Sequence, residues 1–242
     1  MIDHLSLSDR SKYACALRAS ALVENGMKVG LGTGSTAYWL VYHLAERVRN
    51  EGLEFVGVPT SKKTREQAQA EGLKLISMDD AGRLDITIDG ADEFDQSMNL
   101  IKGGGGAHLQ EKIVAFGSDR MVVIADETKK VNKLGKFPLP VEVLKFGNAS
   151  SQKQIEALLI AQNYSDFTVQ MRMEKNKPFI TDEGNYIFDL NLGEIQNPRK
   201  LCIDLNIIPG VVENGLFIDV CKAVVIGYSD GTAKISWKDN VV

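Results

Sequence analysis

The chain has 242 residues, which is enough for one large domain or two modest ones. Its composition, with 44% hydrophobic and 25% charged residues, is ordinary for a soluble globular protein. A net charge of −4 argues against the basic surface of nucleic-acid-binding proteins, and no apolar run approaches the ~20 residues that a membrane-spanning helix needs.

Helices and strands alternate along the chain through residue 126, and this alternation predicts an α/β fold with a doubly wound, mainly parallel, Rossmann-like sheet. The apolar run Met121–Ala125 is typical of a strand covered on both faces. The predicted elements are a helix from about Asp9 to Glu24 capped by Ser8, a strand at Met27–Val29, a helix from Ala37, a strand at Glu54–Val58, a polar helix near Lys62–Glu71, and strands at Leu73–Ile76, Ile86–Ile88 and Met121–Ala125.

The order then changes to strand, helix, strand, strand, helix, strand, which is the split βαβ pattern of a smaller α+β, ferredoxin-like domain. The predicted elements are Val141–Phe146, Ser151–Gln162, Phe167–Met173, Phe179–Leu190, Asn197–Leu205 and a strand from Val211. We expect this domain at 131–206 and a catalytic α/β domain at 1–130 plus 207–242. The apolar run Ala223–Gly227, followed by the hairpin-like Ser229–Thr232, is expected to return to the first domain.

A glycine-rich loop, Gly30–Ala37, lies between a predicted strand and a predicted helix, which is the layout of a phosphate-binding loop. Its spacing does not fit the dinucleotide fingerprint, because Ser35 occupies the position of the third glycine, and it lacks the Walker ending. Ser35 and Thr36 place two hydroxyls beside the loop amides, which suits a single phosphate on a small molecule. Ordinary turn glycines are the alternative.

Two carboxylates follow the third predicted strand, in the sequence Asp89-Gly90-Ala91-Asp92. They are expected at the carboxyl end of a strand, where open α/β sheets bind ligands. The hydroxyls of a polyol are natural partners for two fixed carboxylates, while a solvated acidic turn is the alternative. A calcium loop is disfavoured, because the ligand spacing and terminal Glu of an EF-hand are missing.

The segment Lys102–Ile113 is the most informative in the chain, with four glycines after a lysine and then an apolar-periodic helix. Free amides at a helix N-terminus favour an anion. Glu111 lies about one turn into that helix, so a cation, several amides and a carboxylate are expected close together. The pattern predicts an active site.

These segments resemble the A-type ribose-5-phosphate isomerase family. The resemblance covers almost the whole chain, in the family's order and spacing. The matching motifs are Gly32–Thr36, Asp89–Asp92, Lys102–Gly105 running to Glu111-Lys112, Asp126–Lys129, Pro138–Val143, Thr181–Tyr186 and Gly210–Phe217. His108 departs from the family, which more usually carries a small or aliphatic residue at that position.

The resemblance implies an aldose–ketose isomerase that interconverts D-ribose 5-phosphate and D-ribulose 5-phosphate through an enediolate. It implies Glu111 as the base, Lys102 on the oxyanion, and Asp89 and Asp92 on hydroxyls and in ring opening, with no metal and no cofactor. The implied substrate-binding residues are Gly32, Thr33, Gly34, Ser35, Thr36, Asp89, Gly90, Ala91, Asp92, Lys102, Gly103, Gly104 and Gly105, with Lys129 and Lys12 as cationic partners of the phosphate.

Each of these residues also has a structural alternative. The lysines could be surface residues, and Glu111 a solvated helix residue. His108 shares a helix face with Glu111, and we expect it to hydrogen-bond a backbone group rather than take part in catalysis.

Two other functions are compatible with similar folds. A sugar-phosphate sensor, like the effector domains of some transcription regulators, would lack the base and carry a DNA-reading helix-turn-helix. An acyl–coenzyme A transferase would use Glu as a nucleophile and need an extended nucleotide-binding surface.

The remaining features concern compartment and assembly. Cys15, Cys202 and Cys221 are odd in number and scattered, which indicates reduced thiols in the cytosol, and Met1–His4 does not begin like a signal peptide. With three His and no Cys pairs, a structural zinc site is not expected. The apolar residues of the Phe137–Val143 segment are expected to be exposed and to indicate an interface. The family leads us to expect a homodimer or homotetramer.

Overall fold

The structure of the protein, a computed structural model, describes residues 5–238, so the signal-peptide expectation at Met1–His4 lies outside the described residues. Its contacts divide the chain into two compact units. The first unit contains the described residues up to Ala91, then Gln110–Lys130, then those from Asp219 onward. The second unit contains Asp92–Leu109 and Val131–Ile218. In residues 5–238, no helix is both long and apolar enough to cross a membrane.

The helices and strands have the following bounds. The helices are α1 (Leu7–Ser20), α2 (Ser35–Glu51), α3 (Lys62–Ala70), α4 (Met78–Ala81), α5 (His108–Phe116), α6 (Asn148–Ala161) and α7 (Pro198–Ile207), with a 3₁₀ helix at Glu127–Lys129. The strands are β1 (Lys28–Leu31), β2 (Val56–Pro59), β3 (Ile86–Gly90), β4 (Glu93–Phe94), β5 (Leu100–Ile101), β6 (Met121–Asp126), β7 (Leu139–Val143), β8 (Thr168–Met171), β9 (Met173–Glu174), β10 (Lys177–Pro178), β11 (Tyr186–Asn191), β12 (Val211–Asn214), β13 (Leu216–Phe217), β14 (Cys221–Gly227) and β15 (Ala233–Trp237).

A six-stranded sheet in the order β15-β14-β6-β3-β1-β2 forms the centre of the first unit. Its strands pair in parallel except for β15, which pairs antiparallel with β14. All six residues of β6 are buried, as the continuous apolar run predicts for a strand covered on both faces. The prediction of a doubly wound, mainly parallel sheet is confirmed. The core of this unit includes Ala16, Leu31, Leu40, Leu44, Ile86, Ile88, Val122 and Val225.

The second unit contains a four-stranded antiparallel sheet in the order β12-β7-β11-β8. With α6 after β7 and α7 after β11, the chain follows the split βαβ pattern, and the expected ferredoxin-like domain is confirmed. One face of the sheet packs on the helices through a core that includes Leu139, Val141, Val143, Ile155, Leu159, Leu201 and Leu205. Pro140 and Glu142, which alternate with those β7 residues, are buried on the opposite face.

The second unit is larger than the domain expected at 131–206. The strand β12 pairs with β7, and β13 pairs with β5 in a small sheet of order β13-β5-β4. These pairings bring residues 207–218 and Asp92–Leu109 into the second unit.

The expectation that the apolar residues of Phe137–Val143 are exposed is wrong for Leu139–Val143. Each residue of β7 is buried, because this strand lies between β11 and β12 and both of its faces are covered. Phe137 itself is only partly exposed.

Several predicted boundaries also differ. Ser6, not Ser8, caps α1, since the Ser6 hydroxyl oxygen accepts the Asp9 N–H at 3.1 Å. The expected strand at Leu73–Ile76 is reduced to an isolated bridge between Leu75 and Gly57. The strand expected from Phe179 begins at Tyr186.

The cap of α1 gives a direct test of the corrected boundary. Replacing Ser6 by Ala should lower the free energy of unfolding by about 1 kcal/mol, because the Asp9 N–H loses its acceptor. Ser8→Ala is the matched control, since Ser8 lies inside the helix, where Ala is the better helix former. Urea unfolding followed by circular dichroism measures both, and equal losses would contradict Ser6 as the cap.

Candidate active site

Three neighbouring parallel strands of the first unit, β1, β3 and β6, end at the same edge of the sheet. The loop Gly32–Gly34 and the start of α2 follow β1, Asp89–Ala91 stand at the end of β3, and the 3₁₀ helix with Lys129 follows β6. Ligands bind at such carboxyl edges in open α/β sheets. The structure therefore gathers these three predicted groups at one place in the first unit.

Asp89 joins the loops at this edge. Its side chain is fully buried, and its Oδ1 accepts the N–H of Thr33 at 2.9 Å and the N–H of Gly90 at 2.7 Å. A Cβ atom at Gly32 would lie 2.5 Å from the Asp89 Cα, so only glycine fits where the two backbones approach. The Asp89 carboxylate is thus fixed in position before any ligand binds.

The hydroxyl of Thr33 has a structural role. It lies 2.8 Å from the hydroxyls of both Thr60 and Ser61 and 3.1 Å from that of Thr64, and these side chains tie the loop to the start of α3. The N–H and the hydroxyl of Thr33 are therefore both engaged within the protein, and the donors left for a phosphate lie further along the loop.

The next residues begin α2. Gly34 precedes the helix with φ 109°, Ser35 is exposed and Thr36 is partly exposed. The first N–H groups of a helix point beyond its end, where the helix dipole favours an anion. Ser35 and Thr36 therefore present both amides and hydroxyls to a phosphate.

A cavity of about 380 Å³ opens beside this loop. Its lining consists of Asp9, Gly34, Ser35, Tyr38, Trp39, Lys63, Thr64 and Gln67. Lys63 is a cation that the sequence interpretation missed, because Lys62 and Lys63 have the appearance of the polar face of a helix. Lys12 lies on α1, with Nζ 4.0 Å from the Asp9 carboxylate, and does not line this cavity.

Glu111 is buried, with 4% of its surface exposed, in the first turn of α5. The Leu84 N–H donates to the Gly117 carbonyl at 3.0 Å, and the Thr87 hydroxyl to the Val114 carbonyl at 3.4 Å. Because β3 and β6 are neighbouring parallel strands and α5 lies between them in the chain, leading directly into β6, the helix runs antiparallel to both. The first turn of α5, and Glu111 with it, therefore points toward the carboxyl edge of the sheet.

The second glycine loop lies in the second unit together with Asp92. Lys102 is 2% exposed, its N–H donates to the Gly215 carbonyl at 2.9 Å, and its Nζ lies 5.4 Å from the centre of the Phe217 ring. The Gly104 N–H donates to the Asp92 Oδ2 at 2.7 Å. The Lys102 side chain is therefore buried, and a hydrogen bond to the Gly104 backbone fixes the Asp92 carboxylate.

Arg172 is a second residue that the sequence interpretation missed. It follows β8, and its guanidinium donates to both oxygens of Asp189, at 2.9 and 2.5 Å. The same guanidinium donates to the carbonyls of Gly103 at 2.8 Å and Gly104 at 3.2 Å. A lone arginine in a predicted strand carries no signal of this contact, because its partners lie 68 and 69 residues away.

His108 begins α5 and is fully buried. Its Nε2 lies 3.4 Å from the Glu213 carbonyl oxygen, the type of backbone contact expected for it, and 4.0 Å from the Glu142 Oε2. The Glu142 Oε1 accepts hydrogen bonds from Thr181 at 2.8 Å and Asn185 at 2.9 Å. Burial raises the pKa of the Glu142 carboxyl, and the two hydrogen bonds offset part of that rise.

Within residues 5–238, no group of three or more His, Cys, Asp or Glu side chains is arranged to hold a metal ion. Cys15, Cys202 and Cys221 are free thiols. Burial raises the pKa of the Cys15 thiol to about 12, so this cysteine is chemically inert at neutral pH.

Comparison with known proteins gives a family match over most of the chain. A model of the family Ribose 5-phosphate isomerase A (phosphoriboisomerase A) matches residues 56–231. Ribose-5-phosphate isomerase A of Ruegeria sp. (strain TM1040) is 57% identical over 235 residues, which cover 97% of this chain and 90% of that protein.

Solved structures agree with this match. Ribose 5-phosphate isomerase from Plasmodium falciparum is 36% identical with a TM-score of 0.90, covering 96% of this chain and 99% of that one. A D-ribose-5-phosphate isomerase in complex with phospho-erythronic acid is 36% identical with a TM-score of 0.86, covering 94% and 97%.

The contact between Gly32 and Asp89 can be tested by substitution. Gly32→Ala should lower the free energy of unfolding by about 1–3 kcal/mol, because the added Cβ overlaps the Asp89 backbone. Gly90→Ala is the matched control on the other side of Asp89, where the nearest atom to an added Cβ is 3.7 Å away. Thermal and urea unfolding measure the two variants, and a Gly32→Ala protein as stable as Gly90→Ala would contradict the close approach.

Proposed function

The chain belongs to the ribose-5-phosphate isomerase A family, and on this premise we propose that it interconverts D-ribose 5-phosphate and D-ribulose 5-phosphate through an enediolate. The observation that carries the proposal is the 57% identity to a protein of that name over 97% of the chain. The protein is accordingly an isomerase, an intramolecular oxidoreductase, of sugar phosphate metabolism. The family that matches is neither one of sugar-phosphate sensors nor one of acyl–coenzyme A transferases.

The reaction moves one carbon-bound proton after the sugar ring has opened. A base removes the proton from carbon 2, and the electron pair shifts toward the carbonyl oxygen on carbon 1, which becomes the oxyanion of the enediolate. Return of the proton to carbon 1 and transfer of the carbon 2 hydroxyl proton to oxygen 1 give the ketose. The step needs one base and a donor for the oxyanion.

We assign the base to Glu111. Its carboxyl group is withdrawn from water and lies in a helix turn that points toward the carboxyl edge of the parallel sheet. A carboxylate held on a helix can keep one orientation toward carbons 1 and 2, as removal and return of the same proton require.

We assign stabilisation of the oxyanion to the second glycine loop. Lys102 provides a buried ammonium, and the Gly103–Gly105 loop provides backbone N–H groups other than that of Gly104, which donates to Asp92. Donors fixed in advance and shielded from water stabilise developing charge more strongly than mobile ones.

The remaining assignments concern the unreactive part of the substrate. Asp89 and Asp92 accept hydrogen bonds from sugar hydroxyls and transfer protons during ring opening, with Gly90 and Ala91 forming the turn between them. The phosphate binds at the Gly32–Thr36 loop, through the N–H groups at the start of α2 and the hydroxyls of Ser35 and Thr36, with Lys12, Lys129 and the cavity-lining Lys63 supplying positive charge.

The complex of a solved relative supports these assignments chemically. Phospho-erythronic acid is a phosphorylated four-carbon sugar acid, and its relative is 36% identical to this chain. Its carboxylate places two oxygens and a negative charge on a planar carbon, as an enediolate does. A site complementary to the transition state binds such a molecule well.

We also propose a cytoplasmic location and a homodimer or homotetramer. The three free cysteines support a reducing compartment. Light scattering of the purified protein measures the mass of the assembly.

Purified protein should interconvert the two pentose phosphates without added metal and in the presence of EDTA, because each step has a protein group to perform it. The assay follows ribulose 5-phosphate formation, with and without chelator. Loss of turnover on chelation that a divalent ion restores would contradict the metal-free assignment, and no turnover under any condition would contradict the proposed function.

Glu111→Gln keeps the size of the side chain and removes its basicity, so kcat should fall by at least the ~10²-fold typical of a lost general base. His108→Ala should cost about tenfold or less, roughly 1.4 kcal/mol, because His108 contacts backbone rather than substrate. Solvent deuterium exchange into the substrate separates the two residues. Exchange that persists in Glu111→Gln and disappears in His108→Ala would assign the base to His108 instead.

A further inference from the structure

The second glycine loop rests on one face of the four-stranded sheet. Asp189 pairs with Pro140 and Ile187 with Glu142, so all four side chains share the face opposite to α6 and α7. A Cβ atom at Gly106 would lie 3.5 Å from Ile187 and 2.4 Å from Phe179, so the loop packs directly on this face.

Arg172 holds the loop on that face. Asp189 fixes the guanidinium through two hydrogen bonds, and the Phe179 ring centre lies 5.8 Å from its central carbon. With its orientation set by these partners, one guanidinium nitrogen donates to both the Gly103 and the Gly104 carbonyls. A planar guanidinium can make this set of contacts, whereas an ammonium cannot.

The direction of these carbonyls determines where the following N–H groups point. In a trans peptide, the carbonyl of one residue and the N–H of the next point in opposite directions, and no peptide bond between residues 5 and 238 is cis. The Gly103 carbonyl faces Arg172, and the Gly104 N–H correspondingly donates to Asp92 on the other side. The Gly104 carbonyl also faces Arg172, so the Gly105 N–H points to the Asp92 side as well.

The Gly105 N–H has no hydrogen-bond partner within residues 5–238, and Gly105 is exposed. We infer that Arg172 is a positioning residue, which sets the Gly104–Gly105 peptide so that the Gly105 N–H donates to the enediolate oxyanion. The inference rests on the proposed function, since it assigns a donor to that reaction. The oxyanion gains a neutral donor in addition to the Lys102 ammonium.

The test is steady-state kinetics of Arg172→Gln and Arg172→Lys with ribose 5-phosphate, together with inhibition by phospho-erythronic acid. In Arg172→Gln, kcat should fall by roughly 10–100-fold, somewhat less than the loss of a whole oxyanion donor, while KM changes less than about threefold. The inhibition constant should rise by a similar factor to the loss in kcat. Arg172→Lys keeps the positive charge but loses the planar guanidinium and its several N–H donors, so its kcat should also fall roughly tenfold.

Arg83→Gln is the matched control. Arg83 forms a guanidinium–carboxylate pair with Asp119 that is exposed and lies in the first unit, so kcat should stay at the wild-type value. If Arg172 has a purely structural role, the variants should have a lower melting temperature, and kcat should be unchanged when it is divided by the concentration of sites that bind the inhibitor. That result would overturn the inference. Wild-type kcat in Arg172→Lys would overturn it too, because charge alone would then suffice.

Should Arg172→Gln fail to fold, Asp189→Asn replaces it, since this variant keeps Arg172 and weakens its anchor. A selective fall in kcat supports the inference, and unchanged kcat overturns it. The wild-type protein in the same assay separates this inference from the proposed function. Turnover by wild type with no effect of these variants refutes only the role of Arg172.

Discussion

The Asp89 carboxylate, which has no exposed surface, sets the geometry of the sheet edge in the first unit. Removing a charge from water costs several kcal/mol unless hydrogen bonds replace the lost hydration. The N–H groups of Thr33 and Gly90 supply two of these bonds. Because one group follows β1 and the other ends β3, the two loops are joined through a single side chain, and neither can shift without weakening the solvation of a buried charge.

The second unit uses the same physical device at two other places. Glu93, which is 3% exposed, accepts the N–H of Gly135 at 2.8 Å and the N–H of Phe137 at 2.5 Å, and so fixes the entry to β7. At Arg172 the charges are the opposite, since a cationic side chain donates to backbone carbonyls, those of Gly103 and Gly104. In each case a charged side chain anchors a segment of backbone that has no regular secondary structure to hold it.

Periodicity and glycine punctuation were enough to predict most elements from the sequence. The strand β6 is fully buried and its sequence is continuously apolar, so pattern and environment agree. The cap of α1 was ambiguous because Ser6 and Ser8 are both good caps, and only the contact of Ser6 with Asp9 distinguishes them. At Leu75, the β-like pattern produces one bridge rather than a strand, because tertiary pairing and not propensity decides how far a ladder extends.

The candidate site was predictable where its residues lie in short motifs and not where they lie far apart. The glycine-rich composition of Gly32–Thr36 and of Lys102–Gly105 predicts a loop at each place. Arg172 and Glu142 have no such local signal, since Arg172 contacts the glycine loop 68 and 69 residues away and Glu142 contacts Thr181 across 39 residues. A single charged residue within a predicted strand fits an exposed position equally well, so the sequence alone does not show that its side chain is buried.

Burial alone does not identify the base, because the second unit contains buried carboxylates with other tasks. Both oxygens of Glu93 accept hydrogen bonds from backbone N–H groups, and the Glu142 Oε1 accepts one from the Thr181 hydroxyl. These two side chains therefore have structural roles. Glu111 differs in its location, which is the first turn of a helix antiparallel to β3 and directed toward the edge where parallel strands end. That edge is where open α/β sheets place their ligands. Position relative to the sheet, rather than withdrawal from water, is therefore the physical reason to assign proton transfer to Glu111.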